Sequence, residues 1–203
     1  MDILAHSLWS AGATVGANRL IHKKLRVARM VIWGVLPDLF SFTPVITWVL
    51  WLVLVKGVRF AEVPRPELLP AQLRDSMFIF RLTNTLYCLS HSIIIFSAFF
   101  LLAWCFCRFA GRYRQPGSNS AAQNGAAAPL WEMTGWLLHI LLDIVSHSRG
   151  SHPIPALWPL LDIKLDGLPL DRSWFIVLNY STLLAAFVLL RVTARNRLKP
   201  SGR

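Results

Sequence analysis

The chain of 203 residues is poor in cysteine, in acidic side chains and in any repeated unit. Its three cysteines, Cys88, Cys105 and Cys107, all lie in apolar stretches, and an odd number so placed argues against a disulfide framework. Cys105 and Cys107 have the wrong spacing for one helical face, so both read as core or lipid-facing residues. Only 10 Asp and Glu stand against 21 Lys and Arg, a formal net charge of +11. Neither half of the chain copies the other, which counts against a transporter built from repeats. The start, Met1-Asp2-Ile3-Leu4-Ala5-His6, lacks the basic n-region of a cleavable signal peptide, so no removal of this segment is expected.

What the chain has instead is apolar surface: 55% of residues are hydrophobic, with 9 Trp and 12 Phe. Several segments approach the roughly 20 residues that span a bilayer. The expected fold class is all-α, a polytopic transmembrane bundle of about four to five helices forming one integral membrane domain over 1–203. Its segments would be 2–21, 27–55, 76–107, 130–147 and 174–192, with a flexible linker at 115–129 and a basic tail at 193–203. The positive charge falls in clusters beside these segments, at 19–29, 108–114 and 191–203, as expected of cytoplasmic ends. Those clusters suit anionic headgroups rather than nucleic acid. The loops near 56–75 and 148–171 would then face outward.

The stretch Trp136 to His147 carries three metal-competent side chains at a spacing of four: His139, Asp143 and His147. Positions i and i+4 share a helical face, so the three form a row if the helix lasts that far. A carboxylate in so apolar a run is costly to keep ionised without a partner. Other apolar segments hold His6, Asp38 and His91, and the outliers are His22 and His152. Mixed imidazole and carboxylate ligands suit zinc or another first-row divalent ion better than calcium or magnesium.

Leu36-Pro37-Asp38 has two readings. Proline breaks the helix and lets Asp38 line a polar cavity, or Asp38 simply N-caps a helix over 39–55. One straight span from residue 30 would put Asp38 only about 12 Å from its starting side, with His139 and Asp143 near the other. Either the helix breaks at Pro37-Asp38 and the early segment folds back into the bundle, or Asp38 is no ligand; the family resemblance of these residues favours the break.

Taken together, His6, Leu36-Pro37-Asp38, His91-Ser92 and His139-Ile140-Leu141-Leu142-Asp143 resemble the bacterial inner-membrane metal-dependent hydrolase family, distantly akin to the zinc-dependent phospholipases C. Ser146-His147-Ser148 and Leu157-Trp158-Pro159 resemble the Thr-His-Ser and Leu-Trp-Pro elements of one branch. The likeness runs from residue 3 to about residue 180. Two departures stand out: Leu86-Tyr87 where many members carry a His-Arg pair, and Ser146 for the usual threonine. The resemblance implies an inner-membrane location, metal binding by His6, Asp38, His91, His139 and Asp143, and hydrolysis by a metal-activated water.

His147 would extend the ligand set. Asp38 or Asp143 would be ligand or general base, and Arg81 or Arg149 would hold a phosphate through its fork, Arg149 being preferred because it lies two residues beyond His147. A site within the membrane favours a lipid or another amphiphile as substrate. The rival class is a non-catalytic membrane protein, whose polar residues glue helices or hold a structural ion. A cation or proton transporter is the third reading.

Overall fold

The computed structural model describes residues 1–21, 24–65, 69–112, 131–148, 153–168 and 172–198. Arg149, His22, His152 and the whole of the expected linker at 115–129 lie outside the described residues. Among the described residues the chain is all-α. The helices are α1 (Ile3–Ala17), α2 (Val27–Leu54), α3 (Ala71–Ser76), α4 (Phe78–Ser90), α5 (Ile93–Arg112), α6 (Thr134–Ser146) and α7 (Ser173–Leu198). A short 3-10 turn covers Phe60–Glu62.

Among the described residues, seven helices stand in place of the four or five expected, because the apolar stretch 76–107 is two helices and the short α3 precedes them. α7 also runs on through 193–198, so the first part of the expected basic tail is helical. Two helices are long and apolar enough to cross a membrane, Val27–Leu54 and Ser173–Arg195 within α7. A third follows if α4 and α5 count as one span bent by 61°. α1 and α6, with 15 and 13 residues, reach about 22 and 20 Å, short of the roughly 30 Å hydrocarbon core.

The expected break at Pro37-Asp38 does not occur. α2 runs unbroken through Pro37 and Pro44, so Asp38 is a mid-helix residue and not an N-cap. Proline has no N–H, so it strands no donor there and costs the helix one hydrogen bond. The Ser41 hydroxyl donates to the Pro37 carbonyl at 2.9 Å. The chain breaks instead at His91-Ser92, where α4 ends and α5 begins. Ser92 Oγ caps α5, accepting from the Ile94 and Ile95 N–H groups at 3.1 and 3.2 Å, while the Ile93 N–H donates to the Ala156 carbonyl at 2.9 Å. The Ser92 hydroxyl also donates to the Trp158 carbonyl. The three N–H groups that open α5, those of Ile93, Ile94 and Ile95, thus have acceptors supplied by Ser92 itself or by the Pro155–Trp158 loop.

That loop is no mere surface strap. Ile154 and Ala156 are fully buried in a core with Tyr87, Phe96, Trp136 and Ile140. At the other end of the bundle, Arg19 bonds the Leu190 carbonyl and the Thr193 hydroxyl, so the basic clusters near 19 and 191 share one end. α2 starts without a cap of its own. The fully buried Glu132 accepts from the Arg26 N–H at 2.7 Å and pairs with Arg29 at 3.4 Å. An anion at a helix N-terminus answers both its free N–H groups and its dipole. Nothing in the sequence marked Glu132 for this role.

Candidate metal centre

Three helices are brought into register by small residues. A Cβ on Gly34 of α2 would overlap the Ser10 side chain of α1. One on Gly135 of α6 would overlap the Met30 carbonyl oxygen and lie 3.1 Å from the Gly34 nitrogen. These close approaches fix the relative heights of α1, α2 and α6, as small residues do in membrane bundles. One turn further, four residues along each chain, come His6, Asp38 and His139. Helical periodicity then delivers all three side chains to the same place. Asp143 follows one turn beyond His139 on the same face, and the α4–α5 break supplies His91 from the side.

The four groups Asp38, His91, His139 and Asp143 offer ligand atoms all within 4.8 Å of one another, and all four residues are buried. His91 Nε2 and His139 Nε2 are 3.1 Å apart. Asp143 Oδ2 lies 3.4 Å from His91 Nε2 and 3.1 Å from His139 Nε2; Asp38 Oδ1 lies 3.5 and 3.6 Å from the same two atoms. The edge of a zinc tetrahedron with bonds near 2.0–2.1 Å is about 3.3 Å. The five separations bracket that length, so the residues present fit a four-coordinate divalent ion.

The outer nitrogens of both imidazoles are already engaged. His139 Nδ1 donates to the Gly34 carbonyl at 2.8 Å, and His91 Nδ1 donates to the Tyr87 carbonyl at 3.1 Å, with Ser90 Oγ 2.9 Å away. A carbonyl accepts and does not donate, so these bonds place the ring protons on Nδ1 and leave the Nε2 lone pairs facing inward. The glycine that sets the helix contact also orients a histidine. Tyr87 stacks on His91 with ring centroids 4.0 Å apart.

His6 and His147 lie beside this group rather than in it. His6 is fully buried, stacks on His139 at 3.8 Å, and places Nε2 3.0 Å from Asp143 Oδ1 and 4.0 Å from Asp38 Oδ2. The helix does not persist to His147, which takes extended backbone as the C-cap of α6. The expected row thus ends at Asp143, yet His147 Nδ1 still comes 3.3 Å from Asp143 Oδ1. The Met1 amino group also reaches Asp143 Oδ1, at 2.5 Å. Asp143 Oδ2 and both ring nitrogens of His6 are buried without a hydrogen-bond partner. Unsatisfied buried polar atoms are rare enough to mark a missing partner.

No family model, no curated protein and no solved structure matches the chain. Among the described residues, this is an all-α protein with two to three membrane-length apolar segments and a buried His/Asp group able to hold a metal ion.

Proposed function

We propose that the protein is an integral membrane metal-dependent hydrolase, using zinc, that cleaves a phosphoester or other ester of a membrane-associated substrate. The resemblance to the bacterial inner-membrane metal-dependent hydrolases supports the same reading and the same location. The observation that carries the metal is the pair of Nε2 atoms 3.1 Å apart, with two carboxylates beside them. A proton on one ring serves a single neighbour, whereas a central cation serves all four groups at once.

His91, His139, Asp143 and Asp38 would hold the ion. The chemistry such an ion supplies is Lewis acidity, which brings water toward ionisation at neutral pH and draws charge from a phosphoryl or acyl oxygen. Asp38 is 8% exposed while His91, His139 and Asp143 are at most 1% exposed, so proton exchange with substrate or solvent falls to Asp38. Asp143, with His91 and His139 on one oxygen and His6 and His147 on the other, is the positioning ligand. Arg149, two residues beyond His147, is assigned the phosphate. A membrane lipid or similar amphiphile would reach the site from the side of Asp38 and His147, the two least enclosed of the clustered residues.

The same enclosure also favours the rival, a structural ion that no substrate reaches. Metal analysis of the detergent-purified protein tests the first step, with His139→Ala and Asp143→Ala beside the parent. About one equivalent or more in the parent and at least a tenfold loss of affinity in both variants are expected. A metal-free parent, prepared without chelators, overturns the reading. Bound metal with no turnover on a panel of phosphoesters and phospholipids leaves the structural ion as the function.

A further inference from the structure

We infer that the loop from Pro155 to Leu168 is a lipid-facing lip over the centre, on the membrane side opposite the basic clusters. The substrate is then a lipid of that leaflet. This rests on the hydrolase reading and adds to it the side of entry and the residues that meet the lipid. On the basic side the bundle is shut. One turn from His6, Asp38 and His139 toward that end, α1, α2 and α6 meet at Ser10, Gly34 and Gly135, where an added Cβ would overlap its neighbour. Buried Thr14 and Glu132 lie beyond, so no substrate passes between these helices.

The other side is built differently. α6 stops at Ser146, one turn past Asp143, and the chain returns over its end. The Gly167 and Leu168 N–H groups donate to the His147 and Val145 carbonyls at 2.7 and 2.8 Å. A Cβ on Gly167 would lie 2.3 Å from the Ile144 carbonyl oxygen, so only glycine lets the loop sit this low. The loop's other anchor is the α4–α5 break beside His91, through the Ala156 and Trp158 carbonyls. It is thus pinned near Asp143 at one end and near His91 at the other.

Between these anchors its side chains are apolar and uncovered: Leu160, Leu161 and Ile163 are 71, 51 and 49% exposed. The backbone beneath is bonded internally. The Leu160 and Leu161 N–H groups donate to the Leu157 carbonyl, and that of Leu165 donates to the Ile154 carbonyl. Irregular backbone enters lipid only when its polar groups are so satisfied. Exposed Asp162, Lys164 and Asp166 alternate with Leu161, Ile163 and Leu165, an amphipathic pattern that suits the boundary between headgroups and acyl chains. α4 runs from that side toward the centre, since Phe80 packs on Trp48 and Tyr87 on Phe42. Its Arg81 and Asn84 share an exposed face and lie about 10–15 Å along the helix from His91. A charged side chain exposed on a membrane helix marks the water boundary, so headgroups on this side come within that distance of the centre.

The test uses the full chain with Cys88, Cys105 and Cys107 replaced by serine, or by alanine if the serine background does not fold. In sealed membrane vesicles, a charged maleimide should label Lys24→Cys, at the basic end, and Lys164→Cys, in the loop, from opposite sides, each about tenfold faster from its own. Labelling of both from the same side overturns the side of entry. Nitroxides on Leu160→Cys and Ile163→Cys in phospholipid vesicles should be relaxed several-fold more by oxygen than by a water-soluble nickel chelate. Relaxation dominated by the nickel chelate overturns the lip. Fluorescent phosphatidylglycerol and phosphatidylethanolamine, placed in the outer leaflet alone, should be cleaved about tenfold faster when the loop faces outward, because polar headgroups cross the bilayer slowly. Equal or inverted rates overturn the leaflet. Cleavage in neither orientation, with the labelling and relaxation as expected, overturns the hydrolase reading and leaves the lip standing.

Discussion

Two apolar stretches each carry a metal-competent residue in their middle, and they solve the backbone problem in opposite ways. α2 contains two prolines and stays straight enough to be one helix, whereas the stretch from Phe78 to Arg112 contains none and bends by 61°. The comparison teaches that a helix breaks where other groups can take its freed hydrogen bonds, not simply where its residues have poor propensity. At Pro37 there is no donor to satisfy. At Ser92 three consecutive donors are satisfied, two by the serine itself and one by the Ala156 carbonyl. The unbroken helix presents Asp38 from its side; the broken one presents His91 from its end.

The comparison can be pressed experimentally. The largest effect is expected away from both segments' special residues, at the contact that aligns α2 with α6. Gly135→Ala places a methyl on the Met30 carbonyl, which no side-chain rotation relieves. A loss of about 3 kcal/mol in reversible unfolding from detergent micelles is expected, with loss of metal as His139 moves off Asp38. A variant as stable as the parent would mean that the register is set elsewhere.

Next in size is Ser92→Ala, which removes the cap of α5 and the hydroxyl's bond to the Pro155–Trp158 loop. About 1–2 kcal/mol should be lost, with metal affinity lowered roughly tenfold because His91 adjoins the break. Smallest is Pro37→Ala. An alanine regains a hydrogen bond inside α2 but leaves space where a fully buried ring was packed, so the two effects offset and stability should stay within about 1 kcal/mol. Metal content should be unchanged. Metal loss in Pro37→Ala with an intact Ser92→Ala site would invert the comparison.

Much of the centre was legible in the chain because intramembrane ionisable residues are few and conspicuous. His139 and Asp143 share a face by simple helical spacing, and His6, Asp38 and His91 were each the metal-competent residue of another apolar segment. The location of the break was not legible. Pro37 is a strong local signal and Ser92 a weak one, yet the outcome turned on carbonyls of Ala156 and Trp158, more than sixty residues further along the chain. Gly34, Gly135 and Glu132 were missed for the same reason. A glycine in an apolar helix looks alike whether it faces lipid or a neighbouring carbonyl, and Glu132 has its partners about a hundred residues away.

The sequence by itself determined the class of fold, the placing of the apolar helices and the short set of side chains able to hold a cation. Each of these follows from composition and from a period of 3.6 residues, which are local properties. Only the tertiary structure decided how those side chains meet. The heights of α1, α2 and α6 are fixed by backbone approach at Ser10, Gly34 and Gly135, and which oxygen of each aspartate faces which histidine depends on those heights. A depth of one helical turn separates a shared centre from scattered polar residues, and that turn is set by contacts between segments, not within them.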